Sequence, residues 1–213
     1  SLIDRSLAER LVGMGNVAPQ ISINGPGEYT DAVRGRGAFK KCIAAMETLN
    51  EAGCAFGFSS LVTRKNMDVI CSEEWCDFLI DKGALYGWLF LFMPVGNEPD
   101  LALMPMPRQR DQLRVFQQYV RDNKPLLLVD FWNDGVLSGG CIAGGRLYFH
   151  INHRGDVEPC IFCHFATDNI HDKTLAEALN SPFFKGIRSE QPFCYNTLRH
   201  CPIVLQYLHS EKV

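Results

Sequence analysis

The 213 residues are 46% hydrophobic and 21% charged, a globular composition with enough apolar material for one large domain or a domain with an appendage. A formal net charge of −3 and the lack of Lys/Arg blocks argue against a broad basic surface, so nucleic acid is not an expected partner. The longest apolar run, Ala84 to Val95, falls short of the roughly 20 residues a membrane span needs, and the first residues do not read as a signal peptide, so a cytoplasmic chain is expected.

In chain order, Asp4 or Ser6 caps a first helix bearing Leu7, Leu11 and Val12, with Glu9 set to complete a capping box on Ser6. Ala18 to Asn24 reads as a short strand closed by Gly25-Pro26-Gly27, followed by a polar loop that contains Asp31 and Arg34. Phe39, Ile43, Met46 and Leu49 recur at helical spacing as far as Gly53, and Cys54 to Val62 follows as a strand. The unit repeats with a helix capped by Ser72, ending at Gly83, and the apolar strand Tyr86 to Met93, expected to be buried on both faces. Gly96 to Pro107, with its prolines and methionines and no periodicity, is a candidate active-site lid over a peptide or lipid-like substrate. A helix from about Arg108 to Arg121 then leads to the strand Pro125 to Asp130.

Repeated strand and helix units predict an α/β fold with a parallel sheet, and three or four strands are too few to close a barrel. The character changes near Asn133. Arg146 to Asn152 alternates like a half-exposed strand, Asn152 to Asp156 reads as a hairpin turn with Gly155 at positive φ, and Val157 to Cys160 returns. Helices capped by Thr174 and Ser181 follow, before a tail carrying Cys194 and Cys201. The expected division is residues 1–133 and 134–213.

Nine cysteines in a chain of this size and without a leader point to reduced thiols or metal ligands rather than disulfides. Cys42, Cys54, Cys71 and Cys76 fall in apolar helix and strand positions and read as buried thiols, with Cys71 and Cys76 together on one helix. Cys141, Cys160, Cys163 and Cys201 lie instead at turns or beside prolines, where backbone bends aim side chains at one point. Cys160-x-x-Cys163 is a spacing at which two sulfurs reach one ion or cluster. Cys141, expected across the hairpin from Cys160, and Cys201 complete a four-thiolate shell for an iron-sulfur cluster, with Cys194 and His164 as substitutes. Structural zinc and scattered thiols remain open on spacing alone. Asp130 at a strand end and Asp134 before the cysteine turns are candidate acid/base groups, with capping as the competing role.

Gln20-Ile-Ser-Ile-Asn-Gly-Pro26, then Asp31-x-x-Arg34-Gly35-x-Gly-Ala-Phe39, a helix, Glu51-Ala-Gly53 and a new strand together resemble the second half of a radical S-adenosylmethionine enzyme. Cys141-x13-Gly155-x4-Cys160 is similar to the opening of the SPASM or twitch extension, the auxiliary-cluster module of that superfamily. The resemblance implies a partial (β/α) barrel followed by a small cysteine-rich module of hairpin and helices. It implies that Ser22 and Asn24 lie near the ribose of S-adenosylmethionine, that Arg34 meets its carboxylate by a two-pronged contact, and that Ser60, Thr63 and Met93 line the cofactor. It further implies one auxiliary [4Fe-4S] cluster and an electron-donor protein. Two departures stand out. Asn24 occupies a place where many relatives carry Asp, which puts a proton-accepting role there in doubt. The CxxxCxxC loop that holds the catalytic cluster is absent from the 213 residues, as is a Gly-Gly-Glu strand. The chain is therefore expected to be a piece of a longer protein and inactive alone, or else a remnant that only binds.

Overall fold

The structure is a computed structural model that describes residues 3–193, so Cys194 and Cys201 lie outside the described residues. The chain divides into two compact units, Ser1–Asp130 and Phe131–Val213.

The first unit opens with α1 (Arg5–Met14). Asp4 alone caps it, accepting from the Leu7 N–H at 2.8 Å. Glu9 does not reach Ser6; it pairs with Arg5 at 2.7 Å, because the helix begins two residues earlier than a Ser6 cap requires. Four strands, β1 (Gln20–Ser22), β2 (Gly57–Val62), β3 (Tyr86–Leu91) and β4 (Leu127–Asp130), then form one parallel sheet in that order. The parallel α/β architecture expected from the sequence is thus present. Between the strands run α2 (Gly27–Arg34) and α3 (Ala38–Glu51), then α4 (Met67–Ile70) and α5 (Glu73–Asp81), then α6 (Pro107–Asn123). Met46 and Leu49 of α3, Trp75 and Leu79 of α5, and Leu113 and Val120 of α6 are buried, as their helical spacing requires.

Register in the sheet is set by size. Gly57 stands opposite Tyr86, and Phe58 opposite Gly87, so each aromatic ring lies over a glycine of the neighbouring strand. A Cβ on Gly57 would sit 2.5 Å from the Tyr86 ring, and one on Gly87 only 2.2 Å from that of Phe58. Neither β3 nor β4 is buried on both faces. Gly87, Leu89 and Leu91 are buried while Tyr86, Trp88 and Phe90 are half-buried, and Leu127 is exposed.

The segment read as a polar loop is helical as far as Arg34. Its polar composition hid this, but Pro26 stands at the start and Thr30 ties the first turn back to the Gly25 carbonyl at 2.6 Å. Asp31 holds the junction to α3 by accepting from the Gly37 and Phe39 N–H groups at 2.7 and 2.8 Å. Cys54 precedes its strand by three residues, and Cys71 ends α4 rather than sharing a helix with Cys76 of α5. Burial pushes both of these last thiols up to about 12, in keeping with buried, unreactive groups.

In the second unit regular structure is sparse. It holds α7 (Gly135–Ser138), β5 (His150–Ile151) and β6 (Val157–Glu158) as an antiparallel pair, α8 (Leu175–Leu179) and α9 (Pro182–Ser189). The strand expected over Arg146 to Asn152 is reduced to two residues. Gly144 and Gly145 both take positive φ, and the Leu147 and Tyr148 N–H groups converge on the Ile142 carbonyl at 3.0 Å, a turn that consumes the alternating segment. The hairpin turn is present, with Gly155 at φ 85°. So is the capping box, with Thr174 and Glu177 exchanging side-chain and backbone bonds.

Candidate functional site

Two centres emerge, one in each unit. The first lies at the carboxyl ends of β1 and β2, the edge of a parallel sheet where ligands are held in α/β folds. Ser22 is in register with Ser59, and their hydroxyls are 3.0 Å apart. Ser60 is fully buried and donates to the Ile23 carbonyl at 2.5 Å. Asn24, 1% exposed, accepts from the Leu61 N–H through Oδ1 at 3.0 Å, and its own N–H donates to the Thr30 hydroxyl at 3.0 Å. Its Nδ2 is buried without a hydrogen-bond partner among the described residues.

Thr63 follows β2 and is buried against Asn66, whose Oδ1 accepts from the Thr63 N–H at 2.7 Å and hydroxyl at 2.9 Å. Met93, two residues past β3, is buried. Arg34 is the last residue of α2 and is exposed, on the helix rather than in a loop. Sequence reading missed Asn66, Ser59 and Thr30. The Thr63-x-x-Asn66 spacing just after a strand is the signal that could have found Asn66, since Thr and Asn side chains at that separation close a turn on each other.

The Gly96 to Pro107 segment is not a free flap. It contains a 3₁₀ turn at Leu101–Leu103 capped by Asp100, and Arg64 fastens it from the end of β2. The Arg64 N–H donates to the Leu103 carbonyl at 2.8 Å and its Nε to Met104 at 2.9 Å, while Gln109 donates to the Arg64 carbonyl at 3.1 Å. Asp130, at the end of β4, is fully buried. Burial pushes the Arg110 guanidinium below its ordinary value and the Asp130 charge opposes this, so the two groups are electrostatic neighbours.

The second centre is the cysteine turn. The backbones of Cys160 and Cys163 pair across a tight turn, with the Cys163 N–H on the Cys160 carbonyl at 3.0 Å and the Phe162 N–H pointing at the Cys160 sulfur at 3.3 Å. Both are buried with Ala143, and Cys141, Tyr148 and Phe162 pack against the same cluster. Cys141 arrives there from the turn before β5 and not from a hairpin strand, since the Gly144 N–H reaches the Pro159 carbonyl at 2.9 Å. Among the described residues no three His, Cys, Asp or Glu side chains are close enough together to hold a metal ion. Soft sulfur donors on a tight turn nevertheless suit an iron-sulfur cluster or zinc. Burial raises the Tyr148 phenol, with Cys160 adding to the shift.

Asp134 sits at the N-cap position of α7 but makes no side-chain cap. Glu158, 3% exposed, was not foreseen. Its Oε1 accepts from Asn152 at 3.0 Å, with His164 3.8 Å from Oε1 and His150 3.9 Å from Oε2. No helix of the described residues is long and apolar enough to cross a membrane.

Residues 141–202 match the SPASM family, an iron-sulfur cluster-binding domain. The mycofactocin maturase MftC of Mycolicibacterium smegmatis is 31% identical over 184 residues, which are 82% of this chain and 45% of the relative. The AdoMet-dependent heme synthase of Oleidesulfovibrio alaskensis is 24% identical over 202 residues, 81% of this chain and 51% of that protein. The chain thus spans about half the length of these relatives. Crystal structures of Streptococcus suis SuiB, alone and bound to S-adenosylmethionine, superpose with TM-scores of 0.70 and 0.68 at 19% identity, over 89% of this chain and 49% and 48% of theirs. SuiB bound to its precursor peptide SuiA gives 0.63 at 18% identity, with 89% and 48% covered. Sheet topology, cysteine spacing and these likenesses agree, and the chain belongs to the radical S-adenosylmethionine superfamily, carrying part of its α/β barrel together with a SPASM module.

Proposed function

We propose that this chain is the part of a radical S-adenosylmethionine enzyme that binds the cofactor at the strand ends of residues 1–133 and holds one auxiliary [4Fe-4S] cluster in residues 134–213, and that the intact enzyme modifies a peptide. The observation that carries the reading is the coincidence of the SPASM match over 141–202 with the packing of Cys141 against the Cys160 and Cys163 turn. Cys141, Cys160 and Cys201 would hold the cluster, with Cys163 as the fourth ligand and Cys194 or His164 as its substitutes. Ser22, Asn24, Ser60, Thr63, Met93 and Arg34 would hold S-adenosylmethionine. The buried, unpartnered Nδ2 of Asn24 suits a polar ligand and is costly without one.

When bound, the cofactor supplies a radical after one-electron reduction, and the auxiliary cluster supplies a route or sink for electrons. The chain's own residues bind, orient and exclude water. Without a CxxxCxxC loop the 213 residues alone are expected to be inactive, and the electron enters from a donor protein in a reducing, cytoplasmic setting. A peptide is favoured over a lipid-like substrate because SuiB is seen with a precursor peptide and a maturase is among the relatives. Asp130 and Asp134 are weaker acid/base assignments, since Asp130 is buried in the field of Arg110 and Asp134 sits at a helix start.

Anaerobic reconstitution with iron and sulfide tests the cluster. The expected yield is about four iron and four sulfide per chain with broad visible thiolate-to-iron absorbance, lost in the Cys141→Ala/Cys160→Ala double variant. Tight zinc without iron uptake would overturn the reading in favour of a structural metal module.

A further inference from the structure

Asn66 uses every hydrogen-bonding position of its side chain. Oδ1 takes both Thr63 donors, while Nδ2 gives one bond to the Asn24 carbonyl at 3.0 Å and one to the Leu61 carbonyl at 2.9 Å. One buried amide therefore ties the end of β1, the end of β2 and the turn into α4 together. Asn24 is fixed from three sides as a result. Its carbonyl is held by Asn66, its N–H by Thr30, and its Oδ1 by the Leu61 N–H, which also settles which way the Asn24 amide faces. Two N–H donors on Nδ2 remain, buried and unpartnered among the described residues.

Four buried side-chain atoms lack a partner among the described residues, on Asn24, Trp75, Glu158 and Gln191, and of these Asn24 lies at the strand ends. A buried donor left unsatisfied destabilises the fold. An arrangement that spends a second, fully satisfied asparagine on holding the first in that state is the mark of a donor kept for a ligand.

We propose that Asn66 is a positioning residue, which holds Asn24 so that its Nδ2 donates to an acceptor atom of the bound nucleoside. This rests on the S-adenosylmethionine reading given above. It also gives a physical meaning to Asn in place of Asp at position 24: this chain presents a donor where a carboxylate could only accept.

The test is calorimetric titration of the 213-residue chain with S-adenosylhomocysteine, which needs no catalytic turnover. Asn24→Asp replaces only the orphaned NH₂ and retains the Oδ1 bond to Leu61, and is expected to weaken binding about tenfold or more. Asn66→Ala is expected to weaken it by a similar factor, and the double variant to bind like Asn24→Asp alone to within about twofold, because the two act through one donor. If Asn66→Ala does not fold, Asn66→Asp keeps the Thr63 bonds and removes only the two that hold the carbonyls. The non-additivity is the readout that a merely structural Asn66 would not give, since stability losses would leave ligand affinities independent. Wild-type chain that takes up no S-adenosylhomocysteine overturns the nucleoside reading and this inference with it. Wild-type binding unchanged by Asn24→Asp overturns the inference and leaves the nucleoside reading standing. A folded Asn66 variant of full affinity removes the positioning role.

Discussion

Residues of the first unit are ordered by close packing across a sheet, whereas those of the second are ordered by side chains that bridge turns. In the first, Phe58 over Gly87 and Tyr86 over Gly57 fix the register of β2 against β3, and six residues of each strand are paired. In the second, the longest strand among the described residues has two residues, and the backbone from Asn152 to Lys173 is held by polar side chains. Asn152 bridges Asp156 and Glu158, Asn169 bridges Asp156 and the Arg154 carbonyl, and Lys173 pairs with Asp168. Its described apolar clusters are small, one of Val157, Ala178 and Phe184 and the other of Ala143 with Cys160 and Cys163. With so small a core, the second unit would gain much of its order from the cluster proposed for its cysteines. The sheet has no such dependence.

The largest blow to this contrast should come from Phe184→Ala. Phe184 is fully buried in the apolar cluster it forms with Val157 and Ala178, and its removal is expected to cost about 3–5 kcal/mol. Because that core is small, the amides of Val157 and Ala178 should lose hydrogen-exchange protection while those of Phe58 and Leu89 keep theirs. Equal loss in both units would show that they unfold as one. The reciprocal change is Gly87→Ala, which pushes a Cβ into the Phe58 ring and is expected to cost about 1–3 kcal/mol. Urea unfolding followed at β2 and β3 amides measures it, and an unchanged midpoint would mean that the aromatic-on-glycine pairs do not set the register.

How far the sequence could be read follows the same division. Wherever an element is specified by apolar periodicity and an end signal, as in α3, α5, α6 and the four strands, its place was legible to within a few residues. Where a single side chain makes the structure, it was not. The helix α2 depends on Thr30 and Asp31 reaching backbone groups, and composition made that stretch look like a loop. The alternation of Arg146 to Asn152 was a true pattern overridden by a turn at Gly144 and Gly145. The cysteine turn was visible because Cys-x-x-Cys is local, and the carboxyl-end position of Ser22, Asn24, Ser60 and Thr63 followed from the strand assignments. The Thr63-x-x-Asn66 spacing announces only a local turn, and the bond from Asn66 to the Asn24 carbonyl, like the role of Glu158, comes from the folded arrangement and not from spacing.

Acid sharpens the comparison more gently. In the second unit three carboxyls lie below their ordinary range: Asp156 through bonds from Asn152 and Asn169, Asp168 through Lys173 and Thr167, and Glu177 through Thr174. Each depressed folded-state value means that the stabilisation is complete above the unfolded value, about 3.9 for Asp and 4.3 for Glu, and is lost as pH falls through the folded value. Asp156 and Asp168 sit in the turn network that stands in for regular structure there, and Glu177 closes the capping box of α8. In the first unit Asp31, lowered by the Phe39 and Gly37 N–H groups, acts at the α2 to α3 junction and Glu73 at a surface pair with Lys124. Lowering the pH from about 4 down through the folded-state values should therefore disturb the amide resonances of Gly155, Val157 and Ile170 before those of Phe58 and Leu89. Asp156→Asn should shift the onset in the second unit and leave the sheet untouched, because an amide there still accepts from one neighbour but no longer titrates. Acid loss of the sheet resonances first would mean that packing, and not the carboxyl-held turns, is the weaker of the two ways in which this chain keeps its order.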